Sequence, residues 1–105
     1  MQDFERFDRL GALIEYQRLP IAVVDLEAFD QNLFELGQIG GSLQKPIRLA
    51  TKSIRVPRLI QRALDYRDAK GNAPFCGLLC YSALEALKLS ELGFDDFLIA
   101  YPTLL

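Results

Sequence analysis

Apolar residues recur along the first part of the chain at the spacing of a helix and then at the spacing of a strand. Residues 3–17 carry apolar side chains three and four positions apart, interrupted at Gly11, which predicts an amphipathic N-terminal arm. These side chains are Phe4, Phe7, Leu10 and Ile14. A β-branched apolar run then covers residues 19–26, with Pro20 at a position that proline tolerates at the start of a strand. The pattern therefore predicts a helical arm followed by a buried strand.

The next periodic segment predicts a helix that ends at glycines. Asp25 is a suitable N-cap, because its carboxylate can accept a hydrogen bond from a free backbone N–H of the first helical turn. The apolar positions that follow are Leu26, Phe29, Leu33, Phe34 and Leu36. Because glycine is a poor helix residue, we expect the helix to end before Gly37 and the Gly40-Gly41-Ser42 break.

Strands and helices continue to alternate through the rest of the chain. Strands are predicted over residues 47–52, 77–81 and 97–101. The helices between them begin near Pro57 and at a capping box formed by Ser82 and Glu85. The second of these helices is expected to end at Gly93. Short alternating elements of this kind are typical of an α/β fold with a parallel sheet and right-handed crossovers.

A parallel sheet of three or four strands is small for this class of fold. Parallel sheets are normally buried on both faces, and their edges are covered or closed. We therefore expect either a fragment of a larger barrel or a sheet that another copy of the chain completes. In a homo-oligomer the interface is expected at residues 96–105 or at the arm over 3–17.

Composition and charge narrow the classes of function. The 105 residues carry a net charge of −2 with cations spread along the chain, which excludes the basic face that nucleic-acid binding requires. No apolar run approaches the roughly 20 residues of a membrane span, and acidic residues occupy the start, where a signal peptide is basic. A cytoplasmic protein that contacts no membrane is expected.

Cysteine and histidine usage argues against a metal site. Three residues separate Cys76 from Cys80, a spacing that fits neither a redox pair nor a zinc knuckle, and the chain has no histidine. We expect two reduced thiols that pack as small apolar groups, and no bound metal. Since histidine is the commonest general base, catalysis would depend on another group.

Lys52 is the candidate for that group. In a strand over 47–52, Lys52 shares one side with Arg48, and the more apolar side faces the helices. Lys52 would then lie at the carboxyl end of its strand and point into a barrel, where barrel enzymes place catalytic groups. A lysine amine in such a site can attack a carbonyl. A solvated lysine that protects a sheet edge is the alternative, and Arg55 and Arg58 fit either an anion site or a polar loop.

Three segments of the sequence resemble a known family. They read LPIAVVDLEAFDQNL, IRLATKSIRVPRLIQRAL and GLLCYSALEALKLSELGFDDFLIAYP. Over residues 19–105 the chain resembles the N-terminal region of fold-type III pyridoxal-phosphate (PLP) enzymes, the alanine-racemase-like group. It is most similar to the branch that contains D-threonine aldolase, D-serine dehydratase and bacterial amino acid deaminase/aldolase proteins.

The resemblance implies a fold and a set of site residues. The fold is the N-terminal part of an α/β barrel of the TIM type, (β/α)8, incomplete in this chain: residues 1–18 form a helical arm, and residues 19–105 form a leading strand and helix with about three βα units. In this family the lysine of a Lys-Ser or Lys-Thr pair at a strand end holds PLP as a Schiff base, and Lys52-Ser53 falls on that pair. Further candidates for contacts with PLP are Arg48, Tyr81 and Tyr101.

Each of these further candidates has a plainer interpretation. Arg48 can instead pair with a carboxylate inside the sheet, and a tyrosine at a strand end can be a packing residue with a solvated hydroxyl. The Asp95-Asp96 pair is interpreted as a loop and strand-start feature and not as a catalytic dyad.

The resemblance also implies an activity. PLP would serve as an electron sink for a reaction at the α-carbon of an amino acid, in particular a D-amino acid, of the aldolase or deaminase type. Because the family places its phosphate-binding loops and a C-terminal β-domain on other segments, the isolated chain is expected to be inactive. Two alternatives stay open: a non-catalytic PLP homeostasis protein, which lacks the arm and the leading strand and helix, and a shortened interaction module in which Lys52 is a relic.

Overall fold

The computed structural model describes residues 2–101, with side chains from residue 4 onward. Within this range the chain forms four helices and three strands in mixed α/β order. They are α1 (Gln2–Ile14), α2 (Leu26–Leu43), β1 (Ile47–Ala50), α3 (Pro57–Asp65), β2 (Phe75–Cys80), α4 (Ala83–Glu91) and β3 (Phe97–Ile99). The predicted α/β class is confirmed, and so is the helical arm, which ends three residues earlier than expected.

The three strands form one parallel sheet in the order β1-β2-β3. Leu49, Leu78 and Phe97 lie side by side across it, and the next row is Ala50, Leu79 and Leu98. The parallel sheet predicted from the alternation of elements is thus confirmed. Three strands do not establish a closed barrel, so the eight-stranded architecture stays a prediction.

Gly77 creates a bulge in the sheet. Ile47 pairs with Phe75, but Leu49 pairs with Leu78, so β2 uses one residue more than β1 over this stretch. Gly77 has a φ of +78°, in the left-handed region that glycine adopts without steric cost. Beyond the bulge, the side chains of β1 and β2 again alternate in step between the two faces of the sheet. Leu49 and Leu78 therefore face the core together.

The hydrophobic core lies between one face of the sheet and the helices. Its buried side chains are Leu33, Leu49, Ile60, Ala63, Phe75, Leu78, Cys80, Ala86, Leu89 and Phe94. The rings of Tyr66 and Phe75 add an edge-on contact at 6.1 Å. On the opposite face the row of Ala50, Leu79 and Leu98 is less buried, and Leu98 is 55% exposed. Only one face of the sheet is therefore covered within residues 2–101.

Helix α2 continues through the glycines that were expected to end it. It runs to Leu43, and its backbone approaches neighbouring segments closely at Gly37 and Gly40. A Cβ at Gly37 would lie 3.1 Å from the Pro74 ring, and a Cβ at Gly40 would lie 3.2 Å from the Ile47 side chain. The predicted end before Gly37 was wrong because these glycines serve helix packing and not helix termination.

The predicted strand over residues 19–26 is also wrong. Residues 21–25 form no regular secondary structure, and none of the three strands pairs with them. Val23 and Val24 are correspondingly exposed. An apolar β-branched run becomes a strand only where a neighbour can satisfy its backbone N–H and C=O groups.

Both predicted helix caps are confirmed. The Asp25 carboxylate accepts a hydrogen bond from the backbone N–H of Ala28 at 3.1 Å and also pairs with Arg6 of α1 at 3.2 Å. The Ser82 hydroxyl accepts from the backbone N–H of Glu85 at 3.3 Å. Gly93, with a φ of +98°, follows the end of α4 as predicted. None of the helices within residues 2–101 has both the length and the apolar character to cross a membrane.

Candidate functional site

A cleft of about 810 Å³ opens at the carboxyl ends of the three strands. Residues that follow β1, β2 and β3 line it together with residues of α3 and α4. Its lining is Ala50, Thr51, Lys52, Ile54, Arg55, Ile60, Leu79, Cys80, Tyr81, Glu85, Leu89, Ala100 and Tyr101. Ligands of open parallel sheets commonly bind at this edge, because loops and helix starts converge there.

Lys52 lies in the tight turn that follows β1. The strand ends at Ala50, two residues earlier than predicted, and the turn is closed by backbone hydrogen bonds from Ser53 to Ala50 at 3.0 Å and from Ile54 to Thr51 at 3.1 Å. The Lys52 side chain is exposed and lines the cleft. Its predicted position at the carboxyl edge is therefore correct, although it stands on a turn and not on the strand itself.

Thr51 holds this turn against the sheet and against α4. It is 6% exposed, and its backbone N–H donates to the Leu79 carbonyl at 3.1 Å. Its hydroxyl lies 3.3 Å from the same carbonyl and is hydrogen-bonded to the Glu85 carboxylate. Three contacts thus fix the residue that immediately precedes Lys52.

Sequence reasoning missed the role of Thr51 and Glu85 in the site. The sequence predicts Glu85 as half of a capping box, but its carboxylate bonds Thr51, and only the Ser82 half of the box is formed within the described residues. The available signal was its place in the first turn of the helix after β2, which a parallel sheet brings to the carboxyl edge. The pairing with Thr51, 34 positions away, has no local signature.

Tyr81 and Tyr101 meet at the same edge. Their ring centroids are 5.2 Å apart with the planes at 54°, and both rings line the cleft. They are 66% and 63% exposed, so their faces and hydroxyls are accessible. The two predicted tyrosines are therefore brought together with Lys52 around one cavity.

Arg48 lies outside the cleft lining. Its guanidinium pairs with the Asp96 carboxylate at 2.9 Å and donates to the Asp96 backbone carbonyl at 2.8 Å. Asp96 has a φ of +58° at the start of β3, so Arg48 fastens this turn to the sheet. The placement corresponds to the ion-paired interpretation of Arg48 and gives Asp96 the strand-start role predicted for it.

Cys80 contributes a thiol to the cleft lining. Burial raises the pKa of this thiol, and the nearby Glu85 carboxylate raises it further, so it stays protonated at neutral pH. Cys76 is exposed, so the expected packing role applies to Cys80 and not to Cys76. Within the described residues both thiols are free, and no group of three or more histidine, cysteine or carboxylate side chains could hold a metal ion.

The resemblance to fold-type III PLP enzymes rests on the sequence, and the three-stranded sheet is compatible with it without establishing it. Membership of that family stays a prediction. Comparisons with protein-family models, with curated proteins and with solved structures find no match for the chain.

Proposed function

We propose that the chain is the cofactor-binding part of a PLP-dependent enzyme that acts at the α-carbon of an amino acid, with Lys52 as the lysine that carries PLP. One observation supports this proposal most strongly. Lys52 shares a cleft at the carboxyl edge of a parallel sheet with Tyr81 and Tyr101, all three of which the sequence had singled out. The D-amino acid substrate and the aldolase or deaminase reaction rest on the resemblance alone.

Several lining residues match the chemical groups of PLP. Lys52 offers an amine for an aldehyde, Arg55 offers positive charge for a phosphate, and Tyr81 and Tyr101 offer aromatic surface for a ring. Leu79 adds apolar contact, so the cleft combines apolar walls with charged and hydroxyl-bearing side chains.

The chain's own residues would divide the work as follows. Lys52 would hold an aldehyde-bearing cofactor through its amine at the carboxyl edge of the sheet. Thr51, held by Leu79 and Glu85, keeps the turn that presents this amine in one conformation. PLP, when bound, supplies an electron sink for the bond that breaks at the α-carbon.

The non-catalytic PLP carrier remains the second candidate. Two features of the sequence separated the enzyme family from such carriers: the long arm, and the leading strand and helix. The arm forms α1 and the helix forms α2, but the leading strand is not formed within residues 21–25. Because a carrier shares the lysine chemistry, the attachment of PLP tests what both candidates have in common.

Titration of the chain with PLP, followed by absorbance, tests the proposal. We expect wild type to develop the absorption band of a lysine-bound PLP imine and Lys52→Arg to lose it, since arginine keeps the charge but provides no amine for this condensation. Lys88→Arg is the matched control, because Lys88 is also exposed but lies outside the cleft lining. A band that survives in Lys52→Arg, or that both variants lose equally, would refute the assignment.

A further inference from the structure

The cleft at the carboxyl edge carries two cationic side chains and one anionic side chain among its lining residues. The cations are Lys52 and Arg55, and the anion is Glu85. The Glu85 carboxylate is hydrogen-bonded to the Thr51 hydroxyl. The ion pairs within the described residues are Arg6–Asp25, Arg48–Asp96 and Arg62–Asp30. Neither cation of the cleft is therefore neutralised by a carboxylate of the described part of the chain.

Arg55 is placed to meet a ligand in this cleft. It lies between the turn that carries Lys52 and the first residue of α3, Pro57, and its side chain is exposed. Its guanidinium makes no side-chain hydrogen bond with residues 4–101, and Arg55 is the one arginine of these residues that lines the cleft. A guanidinium offers a planar pair of N–H donors that matches carboxylate and phosphate oxygens.

We propose that the cleft binds a ring-bearing oxyanion, a phosphate or a carboxylate, and that Arg55 is the residue that binds the oxyanion. Tyr81 and Tyr101 then contact the ring, and the Lys52 amine stays available beside it. The inference rests on the proposed function for the identity of the ligand, because PLP carries a phosphate and an amino-acid substrate carries a carboxylate.

Probes without an aldehyde separate this inference from the chemistry of Lys52. Phenyl phosphate, benzoate and neutral benzyl alcohol are titrated into the 105-residue chain, and the ring resonances of Tyr81 and Tyr101 are followed by NMR. We expect at least one of the two anions to bind about tenfold or more tightly than benzyl alcohol, the effect of one hydrogen-bonded charge pair. A preference for phenyl phosphate assigns Arg55 to a phosphate, and a preference for benzoate assigns it to a carboxylate.

Three variants test the residue itself. Arg55→Ala is expected to abolish the preference for the anions, and Arg55→Lys to retain part of it, since lysine keeps the charge but loses the planar fork. Arg58→Ala removes a neighbouring charge outside the cleft lining and is expected to bind as wild type does. Equal affinity for charged and neutral probes, or equal losses in Arg55→Ala and Arg58→Ala, would overturn the inference.

The two proposals can fail separately. Attachment of PLP to lysines other than Lys52, together with Arg55-dependent binding of phenyl phosphate, refutes the proposed function and supports the inference about Arg55. Attachment at Lys52 together with anion binding that does not depend on Arg55 supports the proposed function and overturns the inference.

Discussion

Gly77 of β2 lies next to the ion pair between Arg48 of β1 and Asp96, the residue before β3. Because glycine has no side chain, β1 and β2 can pair without colliding with this ion pair. The φ of Gly77 is +78°, and a Cβ built on it would collide with the Arg48 guanidinium and lie 2.6 Å from a carboxylate oxygen of Asp96, the ion-pair partner of Arg48. We expect Gly77→Ala to lower the free energy of unfolding by about 1–3 kcal/mol, through backbone strain and displacement of Asp96. Urea denaturation followed by circular dichroism measures the change.

Gly71 provides the matched control for that substitution. Its φ is +81°, but a Cβ there would meet nothing within 4 Å. Gly71→Ala therefore introduces a similar backbone strain without the collision, and its cost should be the smaller of the two. A Gly77→Ala variant as stable as Gly71→Ala would contradict the predicted collision with the Arg48–Asp96 ion pair.

The sequence predicted the location of Lys52, Tyr81 and Tyr101 because each was expected at the carboxyl end of a strand. The carboxyl ends of parallel strands meet at one edge of a sheet. No distant contact had to be known to place them there. The partners of Arg48 and Thr51 were not predictable, since Asp96 and Glu85 lie 48 and 34 positions away along the chain. Such pairs follow from how the elements pack and not from a local pattern.

Helices α2 and α3 are joined by an ion pair with two hydrogen bonds. Arg62 donates from Nε and Nη2 to the two carboxylate oxygens of Asp30 at 2.7 and 2.6 Å. The hydrogen bond from Arg62, aided by its charge, lowers the pKa of Asp30 below its ordinary value. The stabilisation is therefore complete above the unfolded-state pKa, about 3.9 for aspartate, and is lost as the pH falls through the folded-state value.

Arg62→Gln is the variant that tests this link between the helices. We expect it to lower the midpoint of urea unfolding at neutral pH and to match wild type in strong acid, where Asp30 is protonated in both states. Arg58→Gln, which removes a charge on the same helix but no ion pair of the described residues, is the control. A deficit of Arg62→Gln that persists unchanged into strong acid would contradict the assigned cause.

At the level of secondary-structure elements, sequence signals correctly predicted the features that depend on contacts within a single helical turn. The caps at Asp25 and Ser82 and the glycine after α4 depend on residues within one turn, and all three were correct. The strand over 19–26 and the end of α2 before Gly37 were wrong, because each depends on what lies beside the segment. A strand needs a partner, and a glycine in a helix can serve a close approach.

The chain as a whole exposes more surface than a compact monomer of its mass. Its accessible surface is 8611 Å², against about 5,900 Å² expected for a compact protein of this mass. Its radius of gyration is 16.6 Å, against about 13 Å for a compact domain of roughly 100 residues. Phe4 and Phe7 on α1 and Leu98 on the uncovered sheet face are among its exposed apolar side chains. This excess of accessible surface is larger than the area of about 800 Å² that each partner buries in a protein–protein interface of standard size.

We propose that copies of the chain associate through these surfaces, the alternative being that other segments of a larger barrel cover them. Light scattering at micromolar concentration should give a dimer or larger, and Leu98→Glu or Phe7→Glu should lower the mass by placing a charge in the interface. Gln38→Glu, on an exposed polar position of α2, should leave it unchanged. A monomer at every concentration would contradict this proposal. Residues 102–105 of the interface expected at 96–105 lie outside the described residues.

The site of PLP attachment tests the central claim most directly. The chain has four lysines, and Lys52 alone lines the cleft within the described residues, whereas Lys45, Lys70 and Lys88 lie elsewhere. All four are exposed, so random modification would distribute the label among them. After incubation with PLP and reduction with borohydride, peptide mass mapping should find the adduct predominantly on Lys52. An adduct spread evenly over the four lysines, or concentrated on Lys45, Lys70 or Lys88, would contradict the assignment of Lys52 as the residue that carries the cofactor.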